Sequence, residues 1–102
     1  AAVAERATDP AARPALDSIT TALDPERADE SAARAAARAL RALLPHVRTP
    51  DDSTWAQIRL TEAHALSDDQ AGACRALRAA KGSARTGPQR EAVRKYEGTL
   101  GC

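Results

Sequence analysis

Aromatic and strand-forming residues are scarce in this sequence. Phenylalanine and methionine are absent, tryptophan and tyrosine occur once each, and there are only three valines and two isoleucines. A sheet is built mainly from β-branched and aromatic residues, so this composition leaves little material for strands. Alanine fills 26 of the 102 positions and leucine fills nine. We therefore predict an all-α fold of four or five antiparallel helices, arranged as stacked α-hairpins or as a small helical bundle.

Long hydrophobic runs and a strong net charge are also missing. The longest apolar run is far too short to cross a bilayer. A formal net charge of +1 provides no general attraction to nucleic acid or to an acidic membrane surface, and no aromatic residues alternate with basic ones as base stacking would require. We expect a single domain over residues 1–102, with no transmembrane segment in this chain and no nucleic-acid partner.

Residue patterns that support catalysis or metal binding are absent from the sequence. His46 and His64 have no histidine or cysteine partner at the spacing of metal ligands. Ser67 and Ser83 stand in turn contexts, where serine commonly caps helices, and no nucleophile motif surrounds them. The chain has no glycine-rich phosphate loop. We expect no catalytic residues, no enzymatic activity, no cofactor and no metal site.

Proline and capping residues divide the chain into helices. The predicted helix starts are Asp9-Pro10 or Pro14, Asp24-Pro25, Thr49-Pro50, Asp68 or Asp69, and Gly87-Pro88. These starts predict N-terminal helices over about residues 10–44, a helical hairpin over about 50–82 and a C-terminal helix over about 88–100. Trp55, at the start of the hairpin, is interpreted as a core anchor.

The hairpin resembles a known repeat. Residues 56–80 are similar to one tetratricopeptide (TPR) repeat, in which small and large residues recur at fixed positions of two helices. The matching positions are Leu60, Thr61 and His64 in the first helix and Ala73, Leu77 and Ala80 in the second. A histidine stands where the family usually has an aromatic residue. The resemblance implies a hairpin that stacks on neighbouring helices, is capped by residues 88–100, and binds a peptide or a partner helix in a groove.

The two cysteines, Cys74 and Cys102, allow one intrachain disulfide. This bond would tie the C-terminal helix to the hairpin and stabilise the fold by about 3–4 kcal/mol in the chain-entropy model. A disulfide predicts an oxidising compartment, so we expect a secreted or periplasmic location, whereas free thiols would favour the cytoplasm. The chain opens with Ala-Ala-Val-Ala and no methionine, which fits either removal of a signal peptide or a piece of a longer protein.

Basic residues are concentrated near the C-terminal end, where seven of them and one acid lie between Arg75 and Lys95. The candidate binding residues are Arg75, Arg78, Lys81 and Arg85. They are interpreted either as a site for a small anionic ligand or as a solvated helix face that complements the helix dipole. A second set, Arg34, Arg38 and Arg41, is predicted to form a solvated stripe on an earlier helix.

The sequence predicts a non-enzymatic helical scaffold that mediates protein–protein or protein–peptide interaction. Two alternatives stay open. One is a structural or regulatory module of a larger receptor or sensor protein, and the other is binding of a small anionic ligand by the basic face of residues 75–95. Alanine-rich faces pack equally well within the chain or against a second copy, so a homo-oligomer also remains open.

Overall fold

The computed structural model describes residues 12–23 and 29–102 of the chain. The described part contains five α-helices and no strand. The helices are α1 (Ala12–Ala22), α2 (Glu30–Leu43), α3 (Pro50–Leu66), α4 (Gln70–Ser83) and α5 (Gly87–Leu100), with a short 3-10 turn at Leu44–His46 after α2. The predicted all-α fold is therefore confirmed, as a small helical bundle. None of the described helices combines the length and the apolar character needed to cross a membrane.

The helix ends follow local capping chemistry. Pro45 lies in the 3-10 turn that ends α2, and α3 begins at Pro50 as predicted. Asp69 caps α4, because its side chain accepts a hydrogen bond from the backbone N–H of Gly72. α1 is already helical at Ala12, two residues before the alternative start at Pro14. The starts predicted at Asp9-Pro10 and Asp24-Pro25 lie outside the described residues.

A capping box formed by Thr86 and Gln89, which was not among the predicted helix starts, begins α5. The backbone N–H of Gln89 donates to the Thr86 hydroxyl at 3.3 Å, and the Gln89 side-chain oxygen accepts from the Thr86 N–H at 3.2 Å. The Gln89 side chain is completely buried, and its amide nitrogen donates to Asp51 Oδ1 at 3.1 Å. This contact fixes the start of α5 beside the start of α3, and the Tyr96 hydroxyl bonds to Glu62 further along both helices, so α3 and α5 run in the same direction.

Helix α3 is the centre of the bundle, because it lies between two hydrophobic cores. The first core joins α1 and α2 to one side of α3, and its large members include Leu16, Leu23, Leu40, Val47 and Leu60. The second core joins α4 and α5 to another side, through Ile58, Leu77, Ala80 and Val93. The buried residues of α3 consequently follow no single stripe. They are Thr54, Ala56, Ile58, Leu60, Thr61, Ala63 and His64.

The most extensive helix pair is the antiparallel hairpin of α3 and α4. Small side chains line this contact, and Ala56, Ala63, Ala73 and Ala80 are completely buried. Alanine lets the two backbones approach closely, which compensates for the small number of large apolar residues. Buried polar groups are paired within the described residues, where no buried side-chain nitrogen or oxygen lacks a hydrogen-bond partner.

Candidate interaction groove

A shallow groove runs along α3 between the end of α1 and α5. Its volume is about 220 Å³, and it is lined by Leu23, Glu62, Ala65, Leu66, Lys95 and Tyr96. Most of this lining surface is apolar, although it is open to solvent. No residue of α2 or α4 lines the groove, and α1 and α5 leave this strip of α3 uncovered. We refer to it as the α1–α3–α5 groove.

A connected set of polar and aromatic side chains holds the surface beside this groove in place. The Arg59 guanidinium lies 5.4 Å from the centre of the Trp55 ring, a cation–π distance. Arg59 also pairs with the Glu62 carboxylate, whose second oxygen accepts a hydrogen bond from the Tyr96 hydroxyl. All four side chains are partly buried. Their mutual contacts reduce the rotamer freedom that a partner would otherwise have to restrict on binding.

Trp55 and Tyr96 each contribute an apolar body to a core and a partly exposed edge to the surface. Both rings pack against the second core. Burial raises the pKa of the Tyr96 hydroxyl, and its hydrogen bond to Glu62 raises that pKa further. The phenol is therefore neutral over the physiological range and donates its proton to Glu62. Half-exposed aromatic residues of this kind are enriched at protein interfaces.

The predicted disulfide between Cys74 and Cys102 is present, with 5.7 Å between the two Cα atoms. It joins α4 to the residue pair that follows α5. Gly101 makes this possible, because its positive φ of 71° turns the chain back at the end of α5. A second link lies close by, where the Gln70 side-chain amide donates to the Leu100 carbonyl at 2.8 Å. The prediction that the bond ties the C-terminal helix to the hairpin is confirmed.

The four predicted binding residues are distributed over three places. Arg78 and Lys81 line a small cavity of about 120 Å³ next to the disulfide, together with Glu97. Lys81 is paired there with Glu97, at 3.0 Å. Arg85 has an exposed side chain in the turn before α5, and Arg75 lines a different groove beside His64. The structure brings only Arg78 and Lys81 together, and anion binding by this face stays a prediction.

The six positions that carry the repeat resemblance are all buried, namely Leu60, Thr61, His64, Ala73, Leu77 and Ala80. His64, at the position usually held by an aromatic residue, is 5% exposed. Arg41 of α2 donates to its Nε2 atom, with 3.1 Å between the nitrogens. Guanidinium is only a donor, so Nε2 must be the accepting nitrogen and Nδ1 carries the proton. That proton is donated to Asp69 Oδ2, which lies 3.1 Å from Nδ1.

Burial lowers the pKa of His64 below its ordinary value, and the positive charge of Arg41 lowers it further. Asp69 acts in the opposite direction but does not offset these effects. The pKa of Asp69 is itself lowered, first by the hydrogen bond from the Gly72 N–H. His64 is therefore a neutral, buried hydrogen-bonding residue that connects α2, α3 and the start of α4. Sequence spacing alone gave no signal for the Arg41 contact, because the two residues lie on different helices.

Metal-binding side chains are not clustered in the part of the chain that the structure describes. No three residues among its His, Cys, Asp and Glu side chains form a group that could hold an ion. Comparison with protein-family models, with curated proteins and with solved structures finds no match to this chain.

Proposed function

We propose that this chain is a non-enzymatic helical scaffold that binds a peptide or a helix of a partner protein in the α1–α3–α5 groove. The observation that carries this proposal is a partly exposed, mostly apolar strip of α3 between α1 and α5. The neighbouring side chains of this strip are already held by one another. Such a surface binds a partner at a low cost in side-chain entropy.

The helix arrangement supports a TPR-like interpretation of the same surface. α3 and α4 form an antiparallel hairpin, and α5 runs parallel to α3, as the first helix of a following hairpin would. In stacked α-hairpins, a small rotation between successive units creates an extended concave binding surface. We therefore propose that α3 forms the floor of such a surface and α5 forms one wall. The end of α1 forms the opposite wall.

The charges around the groove suggest the character of the partner. Arg59 and Glu62 neutralise each other, whereas Lys95 at the rim forms no ion pair within the described residues. Leu66 and Ala65 provide an apolar floor. A peptide with apolar anchors and a neighbouring acidic residue would complement this pattern.

The disulfide supports a location outside the cytoplasm. Reducing systems in the cytoplasm keep most thiols free, so an intrachain bond that holds the last helix is more typical of secreted and periplasmic domains. We propose that the chain works in such a compartment, and that its binding partner is found there as well.

The proposal is tested by selecting peptides that bind the oxidised full chain from a displayed random library. Trp55 is the only tryptophan, so its fluorescence reports binding of synthetic versions of the selected peptides. Ala65→Arg places a long charged side chain in the groove and is expected to abolish binding. The matched control is Ala39→Arg on the exposed face of α2, which lies outside the groove.

The interaction should also persist at moderate salt, because apolar contacts are not screened by ions. Circular dichroism before and after each substitution verifies that the helices are retained. Failure to select any peptide, or binding that Ala65→Arg and Ala39→Arg reduce to the same extent, would refute the proposed groove function.

A further inference from the structure

Two adjoining grooves lie on the side of α3 where α2 and α4 pack, away from the residues that line the α1–α3–α5 groove. Their volumes are about 260 and 440 Å³, and both are lined by Arg41 and His64. The first groove adds Arg34 and Arg38 of α2 to this pair, and the second adds Arg75 of α4. The Arg41–His64 hydrogen bond stands between them. We refer to the two grooves together as the arginine cleft.

Positive charge predominates in the arginine cleft. Four arginines line it, and Asp69 is the one carboxylate among the lining residues. The Asp69 carboxylate is already engaged, since one oxygen accepts from the Gly72 N–H and the other from His64. Arg34 is paired with Glu30 at 3.1 Å. Arg38 and Arg75 form no ion pair within the described part of the chain.

The arginines are arranged so that several can face one ligand. Arg34, Arg38 and Arg41 lie at spacings of four and three residues on α2, which places them along one helix face. Arg75 approaches from α4. Arg41 is oriented by its hydrogen bond to the buried His64, and a guanidinium retains further N–H donors after making one such bond. Planar guanidinium groups match the oxygens of phosphate, which they bind through paired hydrogen bonds.

We propose that the arginine cleft binds a soluble, polyvalent phosphate-type oxyanion. Arg41 contacts the middle of the anion, and Arg38 and Arg75 contact its two ends. A single orthophosphate would reach only one of the adjoining grooves, whereas a linear chain of phosphates spans Arg41 and reaches both. This site is independent of peptide binding in the α1–α3–α5 groove. It shares Arg75 with the predicted basic face of residues 75–95, but Arg78 and Lys81 of that face line another cavity.

The proposal is tested by titrating inorganic tripolyphosphate into the oxidised full chain in an isothermal calorimeter, at constant ionic strength. Arg38→Gln and Arg75→Gln are each expected to weaken binding by at least about tenfold, because each removes charge-assisted hydrogen bonds. The matched control is Arg78→Gln, which makes the same charge change on α4 three residues from Arg75. It is expected to leave the affinity nearly unchanged.

All three substituted arginines have exposed side chains, so the variants should unfold at the wild-type denaturant concentration. Orthophosphate is expected to bind more weakly than tripolyphosphate. A separate experiment measures how much of the protein sediments with vesicles made of four parts phosphatidylcholine to one part phosphatidic acid. This experiment distinguishes binding of a soluble ligand from binding of a lipid headgroup.

Three outcomes would overturn the proposal. The first is no heat of binding with tripolyphosphate. The second is an equal loss of affinity in Arg78→Gln and Arg75→Gln, which would indicate general attraction by positive charge. The third is binding to the vesicles without binding of tripolyphosphate. None of these results bears on the peptide groove, whose test uses a different ligand and different substitutions.

Discussion

The Nδ1 atom of His64 lies 3.1 Å from Oδ2 of Asp69, across the turn that joins α3 to α4. The same two residues are linked a second time, because the Asp69 backbone N–H donates to the His64 carbonyl at 2.8 Å. Asp69 also caps α4 through the Gly72 N–H. Asp68, between them, has a positive φ of 59°, a conformation that aspartate tolerates better than most residues. One buried histidine thus couples the end of α3 to the beginning of α4.

Gly72→Ala tests how closely this turn is packed. A Cβ at position 72 would lie 2.9 Å from His64 Nδ1 and 2.8 Å from the Asp69 carboxyl carbon. Alanine favours a helix by about 1 kcal/mol over glycine, but relieving the clash must displace the cap or the imidazole. We expect a net loss of about 1–2 kcal/mol in the free energy of unfolding, measured by urea denaturation.

The control for Gly72→Ala is Gly98→Ala in α5, where, among the described residues and apart from the adjacent residues and backbone of α5 itself, no atom lies within 4 Å of the added Cβ. This substitution should stabilise the chain by up to about 1 kcal/mol through helix propensity alone. If both variants shifted the unfolding midpoint in the same direction, steric crowding at position 72 would not be the explanation.

The lowered pKa of His64 predicts a specific dependence of stability on pH. The unfolded chain has a histidine pKa of about 6.5, and the folded chain has a lower one because of burial and Arg41. Between these values the unfolded chain binds more protons, so the free energy of unfolding decreases as the pH falls below about 6.5. Above that pH the His64 contribution is complete.

The matched variant for this pH dependence is His64→Gln, which stays neutral at every pH and can still bond to Arg41 and Asp69. Its urea midpoint should vary less than that of the wild type between about pH 7 and pH 5, above the range where carboxylates are protonated. His46 is present in both proteins, so it cancels in the comparison. Parallel curves for the two proteins would show that His64 does not titrate in this way.

Reduction of the Cys74–Cys102 disulfide is expected to destabilise the chain by about 3–4 kcal/mol, since the bond spans a sequence separation of 28 residues. The effect acts mainly on the unfolded chain. In the folded chain α5 is also held by Gln89 bonded to Asp51 and by Tyr96 bonded to Glu62. Urea denaturation with and without reductant measures the change, and helix content in the absence of urea should be unaffected.

A Cys74→Ala, Cys102→Ala double variant is the control for reduction. It should unfold near the reduced wild type and should not respond to reductant. Alkylation and intact mass establish that the wild-type thiols are free after reduction. If the wild-type midpoint did not move although both thiols were alkylated, the bond would contribute nothing to stability.

Local signals in the sequence predicted the helices, but they could not predict the contacts between helices. Pro50, Asp69 and Gly87 marked starts that the structure has, because capping depends on residues only a few positions apart. The disulfide was predictable because two cysteines allow a single pairing. The Arg41–His64 hydrogen bond was not predictable, because it joins residues 23 positions apart on different helices.

The positions of the arginines also depend on helix packing, which the sequence spacing does not predict. Arg75, Arg78 and Lys81 recur every three residues, which suggested one basic face. A helix turns 300° over three residues, so the positions drift around the axis. In the structure Arg75 consequently faces α2 and α3, whereas Arg78 and Lys81 face α5. The stripe of Arg34, Arg38 and Arg41 is exposed as predicted, but its position beside His64 depends on how α2 packs on α3.

Tyr96→Phe tests the link between α5 and α3. The substitution keeps the ring in the second core and removes only the hydroxyl that donates to Glu62. We expect a loss of about 1–2 kcal/mol in the free energy of unfolding, because a hydrogen bond to a partly buried carboxylate is removed. In a Glu62→Gln background, Tyr96→Phe should lower the free energy of unfolding by a smaller amount. Equal costs in the two backgrounds would contradict a direct interaction.

The titration of Tyr96 provides an independent check on this link. The folded pKa is raised above the unfolded value of about 10, so the unfolded chain loses its phenolic proton first as the pH rises. The free energy of unfolding should therefore decrease as the pH rises above about 10, and this decrease should be absent in Tyr96→Phe. Tyr96 is the only tyrosine, so phenolate absorbance reports it alone. Ionisation near pH 10 in the folded chain would contradict both its burial and its bond to Glu62.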